Sequence, residues 1–490
     1  MRLLPVLGLL SVLIPGTAVP AAATSAPLSS DATVQAYVDA FATPGIAAAV
    51  VSDGGVELIV RGRDGDGRTI TPHTLFRIAS MSKSMTATAV MLLVQERKIA
   101  LDDRVVDTLP EFTMADERYE EVTIRQLLSH TSGLSLRTNP EFALPSPRTT
   151  EAVVAELRDR RLVAEPGARF EYHNTNYSIA ARVVEVVSGQ SLDDFFRQRL
   201  FVPLGMLDTR SVDACDQAVE RLAPGFSVVL GLAYVMPEMP GRCGGNGGVV
   251  STLADMVRWL RFQQGEVGAG VLDRILLEEL HVSQPGAESY ALGWQRAAPG
   301  GGDAPGFVSH GGTLATFTGS MAFVPETGRA AVVLTNGVGS PGELVQNLIV
   351  GADGVAAKPY ENPLNIVNGI LSALAVLALI LFLVTALRAP RWAARRRAAR
   401  RPRVWLRLVP LTLVIVAGLF VPLAPALLGG SVEWQYWVFD LWLFPLLDVL
   451  GIVLVLGGIS ALVSRIVALL VVPVASRGRL RASRQSSTPV

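Results

Sequence analysis

A serine and a lysine at the start of an uncharged apolar stretch carry the most evident chemistry in this chain. Ser80 precedes Lys83 by three positions, and residues three apart share a helix face. The stretch from Ser84 to Val94 contains no charge, Gly or Pro, which predicts a helix buried on most sides. Burial favours a neutral amine, so we predict Ser80 as a nucleophile and Lys83 as its base. The Ser80 N–H at this helix start is predicted as one oxyanion donor.

Lysine is rare here, which strengthens the prediction for Lys83. Only three of the 43 basic residues are lysines, namely Lys83, Lys98 and Lys358. The chain therefore seldom uses lysine as a general surface cation.

A tyrosine and an asparagine supply the next polar groups. Tyr172 and Asn174 follow a Glu-Pro-Gly turn and precede an apolar periodic stretch that Gly189 ends. This pattern predicts a loop at a helix entrance. A phenol placed there can relay a proton, and the amide can bind a substrate.

A third segment combines a histidine with paired glycines. It consists of His310, Gly311, Gly312 and Thr313 and precedes a strand-like run. Paired glycines let a substrate backbone approach a strand edge, so we predict the histidine and both glycines as substrate-binding residues. The Thr313 N–H is predicted as the second oxyanion donor.

Together, these three segments resemble the motifs of the penicillin-recognising serine hydrolases, specifically the class C β-lactamase-related branch. Further stretches that match lie at residues 74–79, 127–134, 247–252 and 292–294. The resemblance spans residues 31–352. It implies acyl transfer through a covalent Ser80 ester, with Lys83 and Tyr172 as the base pair and Asn174 as a substrate contact. It leaves open which member of the pair takes the serine proton.

His310 is the one departure, because many relatives carry a lysine at this position. A lysine would be a permanent cation beside a substrate carboxylate, whereas an imidazole of ordinary pKa is mostly neutral at pH 7. We therefore expect poor turnover of penicillins. Among the other histidines, His130 is predicted to be structural, His73 and His281 to lie on the surface, and His173 to point away from the site.

The order of elements predicts an α/β (α+β) fold of the β-lactamase/DD-peptidase type. Strand-like runs lie near both ends of the hydrolase region and enclose mainly helical sequence, which predicts an antiparallel sheet flanked by helices with an inserted helical lobe. The predicted strands are 45–51, 56–61, 291–297, 319–324 and 329–334, and the first helix is 31–42. Cys215 and Cys243 permit a disulfide without requiring it. We expect no metal, cofactor or nucleic-acid partner, because no motif for one is present.

A mean hydropathy of +0.39 is too apolar for an ordinary soluble enzyme. Residues 1–23 have the composition of a secretory signal, either cleaved near Ala23 or retained as an anchor. A linker at 353–363 leads to three hydrophobic segments, predicted as membrane spans. They are 364–387, 404–428 and 441–463. The third either begins near Leu447, with Asp448 and Arg465 at opposite interfaces, or begins at Leu441 and encloses Asp448; we favour the first arrangement.

Charge predicts the orientation of these spans. The loop 388–403 contains eight arginines and the tail 474–490 contains four, whereas residues 429–440 contain no cation. The positive-inside rule then places both basic segments in the cytoplasm and the hydrolase outside the cytoplasmic membrane, with membrane lipids as partners.

Several functions fit this organisation. The leading prediction is a membrane-anchored peptidase of the D-amino-acid-recognising type, which cleaves small amide or ester substrates. A hydrolase followed by three spans resembles the peptidases that activate secreted prodrugs by removing an acyl-D-amino-acid cap. The enzymatic alternative is a β-lactamase, acting on a lactam, or an esterase. The non-enzymatic alternative is a penicillin-binding sensor or a cell-wall-binding protein.

Overall fold

The computed structural model describes residues 28–140, 146–297, 306–352, 354–398, 404–423 and 444–471. The chain divides into two compact units, one with described residues up to Asn365 and the other from Ile366 onward. The predicted signal segment and the basic tail lie outside the described residues.

The first unit is built on a six-stranded antiparallel sheet whose order is β2-β1-β11-β10-β9-β8. Two small sheets accompany it, with orders β3-β7-β4 and β5-β6. The strands are β1 Gly45–Ser52, β2 Gly55–Gly62, β3 Phe76–Arg77, β4 Arg210–Ser211, β5 Gly225–Val229, β6 Leu232–Met236, β7 Val249–Ser251, β8 Gln295–Ala297, β9 Phe307–Thr313, β10 Thr318–Phe323 and β11 Ala330–Thr335.

Helices cover the sheet and form the lobe between its first two and last four strands. They are α1 Ser30–Phe41, α2 Ser82–Gln95, α3 Val105–Thr108, α4 Ile124–Leu128, α5 Thr150–Ala155, α6 Thr175–Ser188, α7 Leu192–Phe196, α8 Val202–Leu204, α9 Leu253–Gln263, α10 Arg274–Glu279 and α11 Pro341–Gly351. The predicted antiparallel sheet with an inserted helical lobe is therefore confirmed.

Alternation along β1 explains why the sheet is covered on both faces. Ala47, Ala49 and Val51 pack into the core that contains α2 and α9, whereas Ile46 and Ala48 pack into a second core with α1 and α11. Successive strand residues point to opposite faces. The small apolar side chains in this strand thus allow helices to approach both sides of the sheet.

The structure of this unit differs from the sequence predictions in three places. The predicted strand 291–297 is strand only from Gln295, because Gly293 has a φ of +80° and turns the chain. The segment from Phe307 to Thr313 is a strand that its glycines concealed. The β5-β6 hairpin interrupts the region that we predicted to be mainly helical.

The second unit is helical in its described part. Its helices are α12 Pro363–Leu387, which begins in the first unit, α13 Ala389–Ala398, α14 Val409–Phe420 and α15 Pro445–Val471. Within the described residues, three helical segments are long and apolar enough to cross a membrane: Pro363–Leu387, Trp405–Leu423 and Pro445–Val471. The last continues past residue 463, the predicted end of the third span, and residues 424–443 lie outside the described part.

Close backbone contact joins two of these apolar helices. A Cβ on Gly418 would lie 2.7 Å from the Leu454 side chain, and one on Gly451 would lie 3.0 Å from the Gly418 carbonyl oxygen. Small residues at such crossings let helix backbones approach each other, which is how apolar helices associate in lipid.

Candidate active site

Ser80 lies in a strained turn that leads into α2. It belongs to the 3-10 helix Ala79–Met81, and α2 begins two residues later at Ser82. Ala79 has a φ of +50°, a left-handed conformation that non-glycine residues seldom adopt. Strain of this kind is frequent at functional sites, where surrounding contacts maintain it. Here it turns the chain from β3 into the helix and leaves Ser80 partly exposed.

Lys83 is completely buried, and three oxygen atoms surround its ammonium nitrogen. Nζ lies 3.0 Å from Ser80 Oγ, 2.6 Å from Asn174 Oδ1 and 2.8 Å from the Asn246 carbonyl oxygen. Ser80 and Lys83 are therefore in contact as predicted, although Ser80 lies in the 3-10 helix before α2 and not in α2 itself. Asn174 contacts the lysine directly, in addition to lining the cavity where a substrate would bind.

Tyr172 lies beside Lys83, in the loop before α6. Its ring centroid is 4.9 Å from Lys83 Nζ and 4.3 Å from the His130 ring. The side chain is 38% exposed, so the phenol lies at the cavity surface while the neighbouring lysine is buried. This placement suits a group that exchanges protons with a bound substrate.

The segment from His310 to Thr313 forms the end of β9 and lines the same cavity as Ser80. A Cβ on Gly312 would lie 2.3 Å from the Ile78 carbonyl oxygen, so only glycine lets β9 approach the segment before Ser80. A Cβ on Gly311 would have no atom closer than 4.0 Å. On the outer side, β8 pairs with β9 only as far as Ser309. Among the described residues, no strand pairs with the rest of β9 at that edge, which a peptide-like substrate could therefore approach.

His310 differs from the sequence-based expectation. It is buried, its Nδ1 is 2.6 Å from the Gly311 carbonyl oxygen, and its Nε2 is 2.9 Å from the Tyr290 hydroxyl. Burial is the main cause that lowers the pKa of His310 to about 3, and Lys83 adds to this shift whenever its amine is protonated. A carbonyl can only accept, so the neutral ring carries its proton on Nδ1 and accepts at Nε2. The expectation of an ordinary imidazole pKa is therefore wrong.

Three other histidines have roles in packing or at the surface. His130 is buried, and its Nδ1 accepts from the His173 N–H at 3.2 Å. This contact fixes the loop that carries Tyr172, which agrees with the predicted structural role of His130. His73 is exposed, as expected. His281 is buried against Trp294, so its predicted surface position is wrong.

Sequence reasoning missed several residues of the site. The Asn246 carbonyl contacts Lys83 from a Gly-rich turn, and Tyr290 holds His310. The turn's glycines were a visible signal, whereas nothing in the sequence marked Tyr290. The cavity at this site has a volume of about 590 Å³. Its lining comprises Ser80, Tyr172, Asn174, Gln295, His310, Gly311, Gly312, Thr313, Gly319, Ser320, Gly339, Ser340, Pro341 and Gly342.

The two-lobed fold, with a serine and a buried lysine at the start of a helix, defines a serine hydrolase of the β-lactamase/DD-peptidase class. The Beta-lactamase family model matches residues 31–355. The chain is 34% identical to Penicillin-binding protein 4 of Amycolatopsis lactamdurans over 315 residues, which is 60% of this chain and 81% of that protein. The chain therefore belongs to the beta-lactamase family.

Solved structures have the same fold. The octameric penicillin-binding protein homologue from Pyrococcus abyssi gives a TM-score of 0.58 at 25% identity, covering 70% of this chain and 80% of that one. A D-stereospecific amidohydrolase from Streptomyces sp. gives 0.53 at 24% identity, covering 63% of this chain and 95% of that one.

Proposed function

We propose that this protein is a membrane-anchored, extracytoplasmic serine hydrolase that cleaves amide or ester bonds through a covalent acyl-Ser80 intermediate. The observation that carries the proposal is the 3.0 Å contact between Lys83 Nζ and Ser80 Oγ at the floor of an open cavity. A nucleophile within hydrogen-bonding distance of a base is the arrangement that acyl transfer requires.

The surroundings of Lys83 support its assignment as the base for acylation. Asn174 Oδ1 and the Asn246 carbonyl oxygen can only accept hydrogen bonds, so they occupy two of the three directions around the nitrogen. A neutral amine has one lone pair, and Ser80 Oγ lies within hydrogen-bonding distance of it at 3.0 Å. Lys83 can then take the serine proton as Oγ attacks the substrate carbonyl. Tyr172, at the cavity surface, is positioned to give its phenol proton to the leaving group and to regain a proton from Lys83, so that the serine proton ends on the leaving group.

The oxyanion that forms in this attack needs hydrogen-bond donors. We assign this role to the N–H groups of Ser80 and Thr313, which come from opposite walls of the cavity. The close approach at Gly312 brings these two walls together. Donors fixed before the reaction stabilise developing charge without having to reorganise.

The cavity lining favours neutral substrates around the scissile bond. The described residues that line it include no Asp, Glu, Arg or Lys, and His310 is uncharged. A substrate carboxylate would therefore lack a charged partner there. We propose a peptidase of the D-amino-acid-recognising type, in line with the D-stereospecific amidohydrolase of similar fold. The uncharged lining also favours a second candidate, an esterase.

The deciding experiment is active-site labelling of the full-length protein. We expect a fluorophosphonate to add covalently to Ser80, as located by peptide mapping, and D-configured aminoacyl amides to be hydrolysed faster than the L-isomers. Ser80→Ala should abolish labelling. Ser340→Ala, which alters another serine of the same cavity, should retain it. Unchanged hydrolysis by Ser80→Ala would overturn the mechanism, and acylation without turnover of any substrate would favour the sensor alternative.

A further inference from the structure

The segment between Cys215 and Cys243 forms a loop closed by a disulfide, with a Cα–Cα distance of 5.1 Å. The disulfide answers the question that the sequence left open. The loop carries the β5-β6 hairpin, and the chain beyond Cys243 enters the turn that presents the Asn246 carbonyl to Lys83. The Cys243 carbonyl oxygen accepts from the Asn246 N–H at 3.1 Å. The disulfide thus lies three residues from a direct contact of the lysine.

A buried carboxylate in this loop holds the turn that follows the Thr313 strand. Glu238 Oε1 accepts from the Ala315 N–H at 2.9 Å, and Oε2 accepts from the Thr316 N–H at 3.1 Å and the Thr316 hydroxyl at 2.7 Å. Ala315 and Thr316 are the central residues of the β9-β10 turn, which the Leu314 N–H to Phe317 carbonyl bond closes. Without the carboxylate, two buried N–H groups would lose their acceptor.

The hairpin also packs directly against this turn. A Cβ on Gly225 would lie 2.3 Å from the Thr316 carbonyl oxygen. Only glycine permits this approach of β5, so the turn is confined by a backbone contact as well as by Glu238.

The same loop also contacts the strand that precedes the nucleophile. Arg77, three residues before Ser80, is buried and donates from Nη2 to the Gln217 carbonyl oxygen at 2.7 Å. Burial lowers the pKa of Arg77, and the negative charges of Glu238 and Asp216 act in the opposite direction. The loop therefore contacts both walls of the cavity. It supplies a carbonyl acceptor and negative charge to Arg77 on the Ser80 wall, and the Glu238 carboxylate to the turn on the Thr313 wall.

We propose that Glu238 is a positioning residue for the oxyanion hole, and that the disulfide-closed loop 215–243 aligns the Thr313 wall with the Ser80 wall. The inference rests on the proposed acyl-transfer function. Glu238 does not touch the substrate. It fixes the turn that begins directly after Thr313, and thereby the direction of the Thr313 N–H. Small displacements of such a donor strongly reduce transition-state stabilisation.

Glu238→Gln tests this role with little change in volume. The amide can accept at one oxygen only, and its nitrogen would face donors. For the full-length protein we expect kcat for a neutral ester to fall by roughly 10- to 100-fold with KM nearly unchanged, because the lost interaction exists only in the transition state. The rate of fluorophosphonate inactivation should fall by a similar factor. Glu220→Gln, in an exposed part of the same loop, is the matched control and should leave both rates unchanged.

A second pair of variants decides the question even if Glu238→Gln does not fold. Thr316→Val removes only the hydroxyl donor to Glu238 and should lower kcat. Thr316→Ser retains that donor, so its kcat should stay close to the wild-type value. Unchanged kcat and inactivation rate in folded Glu238→Gln or Thr316→Val would overturn the inference. Failure of the wild-type protein to react with fluorophosphonate would instead contradict the proposed function.

Discussion

At the scale of single residues, the surroundings of Lys83 support the proposal that its amine serves as a base inside a folded core. Its two obligate acceptors come from Asn174 and Asn246, which are distant in sequence from the lysine and from each other. They orient the nitrogen without neutralising it by an ion pair. A carboxylate in either place would favour the protonated lysine, which cannot accept the serine proton.

Replacement of this lysine should separate catalysis from folding. We expect Lys83→Met to lower kcat/KM for esters by at least about 10³-fold, because nucleophile and base act as one unit. Activity assays and thermal unfolding together measure the effect. Lys98→Met, which alters an exposed lysine paired with Glu96, is the control and should retain activity. Comparable activity in the two variants would exclude Lys83 as the base.

Burial of His310 leads to a specific pH prediction. With its pKa lowered to about 3, the imidazole becomes a cation only as the pH falls towards that value, and it is neutral from pH 5.5 to 8. The ratio of kcat/KM for a penicillin to kcat/KM for a neutral ester should therefore stay constant within about twofold across this range. Taking the ratio cancels titrations that both reactions share. A rise of about tenfold in the ratio as the pH falls through 6.5 would show a charged His310 and contradict the assignment.

At the scale of elements, β9 and the start of α2 form one functional unit. β9 contributes Thr313, and the 3-10 turn contributes Ser80. Gly312 allows β9 to contact the backbone just before Ser80. The loop 215–243 contacts both elements: Glu238 binds the β9-β10 turn, and the Gln217 carbonyl binds Arg77 just before the 3-10 turn. Catalytic geometry here depends on the distance between two elements that the chain separates by more than 200 residues.

The paired glycines provide a test at Gly312 and a control at the adjacent Gly311. Gly312→Ala would place a methyl group 2.3 Å from the Ile78 carbonyl oxygen, which β9 must move to relieve. We expect a loss of about 1–3 kcal/mol of unfolding free energy and roughly 100-fold in kcat. Gly311→Ala has open space and should unfold at the wild-type midpoint. Equal denaturant midpoints for the two variants would show that the close approach does not constrain the fold.

At the scale of the whole molecule, charge and hydropathy determine the proposed arrangement in the membrane. Three apolar helical segments follow the hydrolase in the described residues, and the arginine-rich loop lies between the first two. If the hydrolase is exported, as we propose, an odd number of spans after it would place the C-terminus in the cytoplasm. Membrane anchoring would keep the hydrolase beside the outer surface, where secreted or cell-wall substrates are available.

Reporter fusions test this topology. A reporter that is active only in the cytoplasm should be active after Val490, and the same reporter placed after Ala352 should be inactive. Protease added to intact spheroplasts should digest the hydrolase and spare the arginine-rich loop, because that loop is predicted to lie inside. An external C-terminus would mean that the helix Pro445–Val471 does not cross the membrane.

Much of the site is determined by the sequence itself, because its main features are local. The three-residue spacing of Ser80 and Lys83 at a helix start is enough to predict that their side chains meet, because one turn of helical backbone brings such residues together. The paired glycines are recognisable as points of close approach, and mainly apolar runs of 20 or more residues without a charge predict spans. Each of these features depends on neighbouring residues and on elementary backbone geometry.

Only the tertiary structure decided which distant groups complete the site. The Asn246 carbonyl on Lys83, the Tyr290 hydroxyl on His310 and the Glu238 carboxylate on the β9-β10 turn join residues far apart in the chain, or use backbone atoms that every residue possesses. Burial is likewise a property of the fold: it lowered the pKa of His310 and placed His281 inside. A side chain's pKa depends on the solvent and charges around it, which sequence spacing does not specify.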